Sequence, residues 1–147
     1  MVELREITES NYNECLNLKV PDNQKDFVAS NVYSLAQAWV FYETAYPFAI
    51  YADNVMVGFI MMGFYKPKGI YNIWRLMIDE RFQGKGYGKE ALLLAIKYLK
   101  EKYNVHEIFL SFEPKNFIAE KLYENVGFQR TDEVAGKEIV MCLKITQ

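Results

Sequence analysis

The chain has 147 residues, of which 51% are hydrophobic and 24% charged, and its formal net charge is −2. This length favours one domain over residues 1–147, and no apolar run reaches the roughly 20 residues of a membrane span. The charge excludes a generally basic protein that coats nucleic acid. A single histidine and two distant cysteines support neither a metal site nor a disulfide framework. We expect a cytoplasmic protein that binds no membrane.

The first third of the chain predicts one strand followed by short helices. Alternation predicts the strand over Val2–Ile7, and Thr8 or Ser10 can cap a short helix after it. After a turn that begins at Pro21, a helical region follows, in which Ser34 is the expected cap of a helix over Leu35–Tyr42.

The remainder predicts six strands and two helices. The strands are expected over Phe48–Ala52, Val55–Tyr65, Ile70–Asp79, Glu107–Phe112, Phe128–Thr131 and Glu138–Ile145. The helices follow Gly88 and Asn116, with core stripes of Ala91, Leu92, Ala95, Ile96 and Leu99 in the first and Ile118, Leu122 and Val126 in the second. Because strand–helix–strand crossings give parallel neighbours and hairpins antiparallel ones, we predict an α/β fold with a mixed sheet and helices on both faces.

Three glycines at alternate positions, Gly84, Gly86 and Gly88, lie between a predicted strand and a strong helix. They let the backbone approach a ligand closely and let successive N–H groups converge at the positive end of the helix dipole. This pattern predicts a phosphate site, and the alternative is a plain flexible turn. The spacing fits neither a P-loop nor a dinucleotide-binding turn.

The segment Gln83–Gly88 matches the pattern [QR]-x-x-G-x-[GA], and Asn116–Phe128 matches N-x-x-A-x-x-L-Y-x-x-x-G-F. With these two motifs in order, the chain resembles the GNAT superfamily of N-acetyltransferases over nearly its whole length. The resemblance implies a GNAT-like fold and acetyl-CoA as co-substrate, with no metal.

The resemblance also assigns residues to the parts of acetyl-CoA. It places the pyrophosphate on Gln83, Gly84, Lys85, Gly86, Tyr87, Gly88 and Lys89, and the pantetheine arm on Leu76, Met77, Ile78 and Asn116. It gives Tyr123 the role of general acid for the departing thiolate. A phenol with an ordinary pKa near 10 stays protonated at neutral pH and can serve as that acid. The alternative for Tyr123 is a buried ring whose hydroxyl is satisfied.

The acceptor amine must be neutral to attack, so a base or a water chain has to take its proton. Glu43, which follows the second predicted helix, is the tentative base or substrate contact, and His106 is a poor candidate at a strand edge. Carboxylates among aromatic rings suit an elongated cation, and the expected acceptor residues are Asp22, Asp26, Glu43 and Tyr42, near Tyr33, Trp39, Phe41 and Tyr46.

The segment Phe27–Ala38 resembles bacterial spermine/spermidine acetyltransferases. The resemblance therefore implies a polyamine as the acetyl acceptor. We expect direct transfer from acetyl-CoA, without an acyl-cysteine intermediate, because neither Cys15 nor Cys142 lies near the loop or has an adjacent histidine. The alternatives are a GNAT enzyme for another amine (a protein N-terminus, a lysine or an aminoglycoside) and a non-catalytic acyl-CoA-binding module. The aromatic content leaves room for a homodimer interface.

The charge is uneven along the chain. Residues 1–60 carry eight acidic and three basic side chains, and residues 61–147 carry eleven acidic and fourteen basic ones. The acidic part contains the expected amine site and the basic part contains the phosphate loop, so the sequence predicts two surface patches of opposite sign.

Overall fold

A computed structural model describes residues 1–146 of the chain. The strands are β1 (Val2–Glu6), β2 (Ala45–Ala52), β3 (Val55–Tyr65), β4 (Ile70–Ile78), β5 (Glu107–Phe112), β6 (Gln129–Ala135) and β7 (Glu138–Lys144). The α-helices are α1 (Tyr12–Asn17), α2 (Asn31–Val40), α3 (Tyr87–Tyr103) and α4 (Phe117–Val126). Two 3-10 helices cover Asp22–Phe27 and Glu80–Phe82.

The strands form one seven-stranded sheet in the order β1-β2-β3-β4-β5-β7-β6. Strands β1 to β4 are antiparallel, β4 and β5 are parallel, and β7 lies antiparallel between β5 and β6. The parallel pair is joined through α3, as a strand–helix–strand crossing requires. The mixed sheet predicted from the sequence is confirmed.

Each face of the sheet has its own hydrophobic cluster. On one face, Cys15, Leu18 and Ala38 of the α1–α2 region pack against strand residues that include Phe59 and Met77. On the other face, α3 contributes Ala91, Leu92, Ala95 and Leu99 to a larger cluster. The helices therefore cover both faces, as predicted, and α1 and α2 lie opposite α3.

Over residues 1–146, none of the helices combines the length and apolar character that a membrane crossing requires.

The predicted start of α2 is wrong. The helix begins after Ser30, whose Oγ accepts a hydrogen bond from the Tyr33 amide at 3.1 Å. Ser34 is fully buried inside the helix, because it lies on the face turned to the sheet and not at the entry of the chain. Asn11 occupies the cap position of α1, in place of Thr8 or Ser10.

Two further predictions differ from the structure. Strand β2 begins at Ala45, before the predicted Phe48, because Pro47 lies past the end of β1 and needs no ladder bond to it. Ile118 was expected in the core stripe of α4, but its side chain is 74% exposed. Of that stripe, Leu122 and Val126 pack against the core.

Candidate active site

The central feature of the site is a gap between β4 and β5. These parallel strands are paired only at Tyr71 with Ile108 and at Asn72 with Phe109. Beyond that point β4 continues to Ile78 and β5 to Phe112 without further pairing between them in the part of the chain that the structure describes. A cavity of about 1260 Å³ occupies this opening and reaches residues on both faces of the sheet.

The glycine loop forms one end of the cavity. Gly84 and Gly86 have φ values of +80° and +83°, and a side chain built on either would meet no atom within 4 Å. Gly86 is the N-cap of α3, a helix of 17 residues, so the free amides of its first turn and its dipole point at this end. A positive-φ turn at a helix N-terminus, with open space above it, fits a phosphate group.

The loop is held in place by a buried carboxylate. Asp79 is 2% exposed, and its oxygens accept hydrogen bonds from the Arg81 amide at 3.0 Å, from Arg81 Nε at 2.8 Å and from the Lys19 amide at 3.0 Å. Burial by itself raises the pKa of Asp79, but these hydrogen bonds outweigh it and hold the pKa below its ordinary value. Asp79, as a carboxylate, therefore ties the start of the glycine loop to Lys19 after α1.

Replacing Asp79 by alanine is expected to lower the free energy of unfolding by about 1–3 kcal/mol, because two amides lose their acceptor. Urea denaturation at pH 7 measures the loss, with Asp132→Ala as the matched control at an exposed carboxylate of β6. Because folding lowers the pKa of Asp79, its contribution to the free energy of unfolding is complete above the ordinary pKa of aspartate. The contribution is lost as the pH falls through the pKa that Asp79 has in the folded state. The difference between wild type and variant should therefore shrink in acid, and a difference independent of pH would contradict the assignment.

Gln83, the first residue of the loop motif, has its side chain engaged within the protein. Its Nε2 donates to the Ile78 carbonyl at 2.9 Å, and its amide group pairs with that of Gln24 at 3.1 Å. The side chain thus joins the loop to the 3-10 helix Asp22–Phe27, and any contact with phosphate is left to the backbone. Lys85 is exposed and does not line the cavity.

The middle of the cavity is lined by β4, which carries a β-bulge. Met61 of β3 faces Arg75 and Met62 faces Ile73, so Trp74 is an extra residue. A Cβ on Gly63 would lie 2.3 Å from the Trp74 ring, which explains the glycine opposite the bulge. Bulges re-aim side chains and interrupt pairing next to active sites.

The bulge decides which way the β4 side chains point. Leu76 and Ile78 pack with the α3-side cluster, whereas Met77 is buried in the α1–α2 cluster. All three line the cavity. The resemblance to the GNAT superfamily assigned them to a pantetheine arm through backbone hydrogen bonds, and this role stays a prediction.

Helix α4 supplies Asn116 and Tyr123 to the cavity. Asn116 is the N-cap, and its Oδ1 accepts a hydrogen bond from the Ala119 amide at 3.3 Å. The Tyr123 ring lies between Phe112 and Phe128, at centroid distances of 6.3 and 6.1 Å. Burial, together with the negative charge of Glu138, raises the pKa of Tyr123 to about 12. The phenol therefore keeps its proton throughout the physiological range.

The opposite end of the cavity, on the α2 face, is polar. Arg75 donates from Nη2 to Gln37 Oε1 of α2 at 3.0 Å and from Nη1 to the Trp74 carbonyl at 2.8 Å. Burial lowers the pKa of Arg75. Arg75 Nε and Asn72 Oδ1 are buried without a hydrogen-bond partner, and both residues line the cavity. Since buried polar atoms are normally paired, these two atoms are suited to contact a bound molecule.

The structure separates the expected acceptor residues. Asp26, Glu43 and Tyr42 line the cavity as exposed side chains at its edge. Asp22 does not line it and forms an ion pair with Lys25 at 2.9 Å. Tyr46 lies on the other face of the sheet, stacked on Tyr103 at 5.0 Å, because β2 turns this side chain toward α3.

A carboxylate that the sequence analysis missed, Glu138, also lines the cavity. Its Oε1 accepts a hydrogen bond from Ser111 Oγ at 2.6 Å. The neighbouring β7 residues Ile139 and Leu143 pack on the α3 side, so the alternation of the strand turns Glu138 to the α2 side. No local motif marks this residue, since it is only the first residue of a strand after a turn.

The three remaining reactive side chains lie outside the cavity. Burial raises the pKa of Cys15 to about 11, and burial with the nearby Glu107 raises the pKa of Cys142. His106 is exposed at the start of β5. None of them lines the cavity, where the charged and titratable side chains are carboxylates, phenols, Arg75 and the two lysines Lys66 and Lys89.

Comparison with known proteins agrees with this geometry. Residues 3–128 match the acetyltransferase (GNAT) family. The chain is 33% identical over 141 residues to a spermine/spermidine N(1)-acetyltransferase of Bacillus subtilis, covering 90% of this chain and 91% of that protein. It is 29% identical over 99 residues to an N-alpha-acetyltransferase of Saccharolobus solfataricus, covering 60% of this chain and 59% of that protein.

Among solved structures, the fold is similar to that of spermidine N-acetyltransferase from Vibrio cholerae in complex with CoA and spermine. The TM-score is 0.76 at 19% identity, and the match covers 98% of this chain and 94% of that one. The family match spans most of the chain and agrees with the glycine loop, the open β4–β5 gap and the tyrosine on α4. The chain therefore belongs to the GNAT family of acetyltransferases.

Proposed function

We propose that this protein transfers the acetyl group of acetyl-CoA directly to a primary amine of a polyamine such as spermine or spermidine. The observation that carries the proposal is one continuous cavity lined both by the glycine loop at the start of α3 and by the carboxylates Asp26, Glu43 and Glu138. The curated relative with 33% identity has spermine and spermidine in its name, which supports this acceptor.

The donor would lie along the cavity from α3 to the β4–β5 gap. The pyrophosphate fits the backbone amides around Gly84 and Gly86, and the pantetheine arm fits the free edge of β4 as an added strand partner. The thioester would then reach the bulge at Trp74, where a backbone amide can stabilise the oxyanion. Tyr123 would protonate the leaving thiolate, since its phenol is protonated at neutral pH.

The acceptor would enter from the α2 face. Carboxylates attract a polycation, and aromatic faces add cation–π contacts. The positive charge of Arg75 disfavours a second ammonium group close to it, so the distal amines of the polyamine belong at the exposed carboxylates Asp26 and Glu43. This placement predicts that affinity for the polyamine weakens as salt rises.

A peptide α-amine is the second candidate acceptor. The partial similarity to an N-alpha-acetyltransferase favours it, as does Arg75, whose unpartnered Nε could donate to a peptide carbonyl. Direct transfer is proposed for either acceptor, because both cysteine thiols lie outside the cavity and have raised pKa values.

An amine panel tests the proposal. Purified protein with acetyl-CoA is mixed with spermine, spermidine, a peptide with a free N-terminus, lysine or an aminoglycoside, and CoA thiol release is followed against a reaction without amine. We expect kcat/KM for the polyamines to exceed that for the peptide by about tenfold or more, a difference that a few specific contacts can supply. Mass spectrometry of the products identifies the acetylated amine.

Each outcome of the amine panel indicates a different function. Turnover of the peptide, lysine or aminoglycoside without turnover of polyamines would overturn the proposed acceptor. Tight binding of CoA with no turnover of any amine would instead favour a non-catalytic acyl-CoA-binding module.

The cytoplasmic location and the homodimer interface expected from the sequence stay predictions. Light scattering would check the homodimer.

A further inference from the structure

The reaction needs a group that removes a proton from the acceptor, because an alkyl ammonium has no lone pair for attack. Three carboxylates line the cavity: Asp26, Glu43 and Glu138. Asp26 and Glu43 are exposed at its edge, whereas Glu138 is half-buried. Position therefore separates Glu138 from the other two carboxylates.

Glu138 is also fixed in orientation. Ser111 Oγ donates to one of its carboxylate oxygens at 2.6 Å, and Ser111 is itself held in the β5–β7 ladder opposite Val140. One oxygen is thus occupied by a rigid strand residue, and the second remains for a ligand. A base held by a second residue in this way has the geometry that proton transfer requires.

The location of Glu138 relative to the gap is equally specific. Glu138 and Ser111 lie on the α2 face, where the acceptor is proposed to enter, and Tyr123 lies with the α3-side cluster. Glu138, Arg75 and Tyr123 all line the same cavity at the β4–β5 gap, and the negative charge of Glu138 contributes to the raised pKa of Tyr123. An amine in that gap would have the carboxylate on one side and the phenol on the other.

We propose that Glu138 is the general base of this protein, and that Ser111 positions its carboxylate. This inference rests on the proposed acetyl transfer and does not depend on which amine is the acceptor. It replaces Glu43 in that role, and leaves Glu43 as a contact for the distal part of the acceptor.

From an acceptor R–NH3⁺, Glu138 takes one proton, and the neutral amine forms the C–N bond to the thioester carbon while the carbonyl electrons move to oxygen. Collapse restores the carbonyl and breaks the C–S bond, and Tyr123 gives its proton to the leaving sulfur. The phenolate then takes the second proton from nitrogen, which leaves the amide, and Glu138 releases its proton to solvent.

The test compares Glu138→Gln, Glu138→Asp and Ser111→Ala with the wild type on the amine that the panel identifies. Glu133→Gln is the matched control, because Glu133 lies in the same hairpin, outside the cavity, in an exposed pair with Lys68. We expect Glu138→Gln to lower kcat about 100-fold, as loss of a general base does, with little change in KM for acetyl-CoA. Glu138→Asp should recover part of the rate, and Ser111→Ala should lose less than Glu138→Gln.

The pH profile distinguishes a base from a structural carboxylate. Several other titratable or charged side chains line the cavity with Glu138, namely Asp26, Tyr42, Glu43, Tyr65, Lys66, Arg75, Tyr87, Lys89 and Tyr123. As pH rises toward the pKa of the amine, solution supplies neutral amine and the deficit of Glu138→Gln should shrink. A deficit that is equal at every pH, or a kcat close to that of the wild type, would overturn the inference. Failure of the wild type to acetylate any amine would instead overturn the proposed function, and this inference with it.

Discussion

Replacing Tyr123 by phenylalanine should lower kcat about 100-fold or more, the size expected for loss of a general acid. The ring contacts with Phe112 and Phe128 are kept, so the fold is expected to be unchanged. Only the hydroxyl is lost, and with it the proton for the leaving thiolate. Steady-state rates of CoA thiol release measure the effect, with equal melting temperatures as evidence that the variant is folded.

Tyr98→Phe is the matched control for this prediction, since Tyr98 packs against Phe48 away from the cavity. A kcat unchanged by Tyr123→Phe would remove the phenol from the mechanism.

The raised pKa of Tyr123, about 12, has a second consequence. A phenol of this pKa transfers its proton to a thiolate only when a positive charge beside it lowers the pKa, and the protonated nitrogen of the tetrahedral intermediate would supply that charge.

Replacing Gly86 by valine should weaken binding of acetyl-CoA about 100-fold or more, because a β-branched residue is strained at positive φ and distorts the loop. The φ of Gly86 is +83°, and it is the cap residue of α3. The added side chain would also project into the open space where phosphate is expected to lie. Isothermal titration calorimetry with CoA measures the loss.

Gly69→Val separates backbone strain from loss of the phosphate site. Gly69 has a φ of +64° and equally open surroundings, but it lies in the β3–β4 turn and does not line the cavity. This control should lose stability while it retains CoA binding. If both variants bound CoA like the wild type, the loop would not be the phosphate site.

The secondary structure was predictable wherever local chemistry decided it. The β4 strand, the glycine loop and α3 follow one another along the chain, so their sequence contains both the turn geometry and the helix start. The start of α2 was predicted incorrectly because Ser30 and Ser34 are both good caps. Burial of Ser34 against the sheet chose between them, and burial is not visible in a short window.

The residues of the candidate site also differ in how far local sequence predicted them. The residues of the glycine loop, with Asn116 and Tyr123, are marked by motifs, and most of them line one cavity. The acceptor residues were inferred from a concentration of acids and aromatic rings in one region. The structure keeps Asp26 and Glu43 at the edge of the cavity, pairs Asp22 with Lys25, and turns Tyr46 to the opposite face.

The distribution of charge likewise predicted that the acidic residues 1–60 contain the amine site and that the basic residues 61–147 contain the phosphate site. The tertiary structure modifies that division, because Arg75 and Glu138 come from the basic part and line the acceptor end. Local spacing along the chain was sufficient to predict the glycine loop and α3, because both are built from residues that are neighbours in sequence. Ser111 and Glu138 meet because β7 pairs with β5, and Tyr123 lines the same cavity beside the gap between β4 and β5. These pairings are non-local, so no short stretch of sequence contains them, whereas alternation along each strand sets the face that a side chain takes.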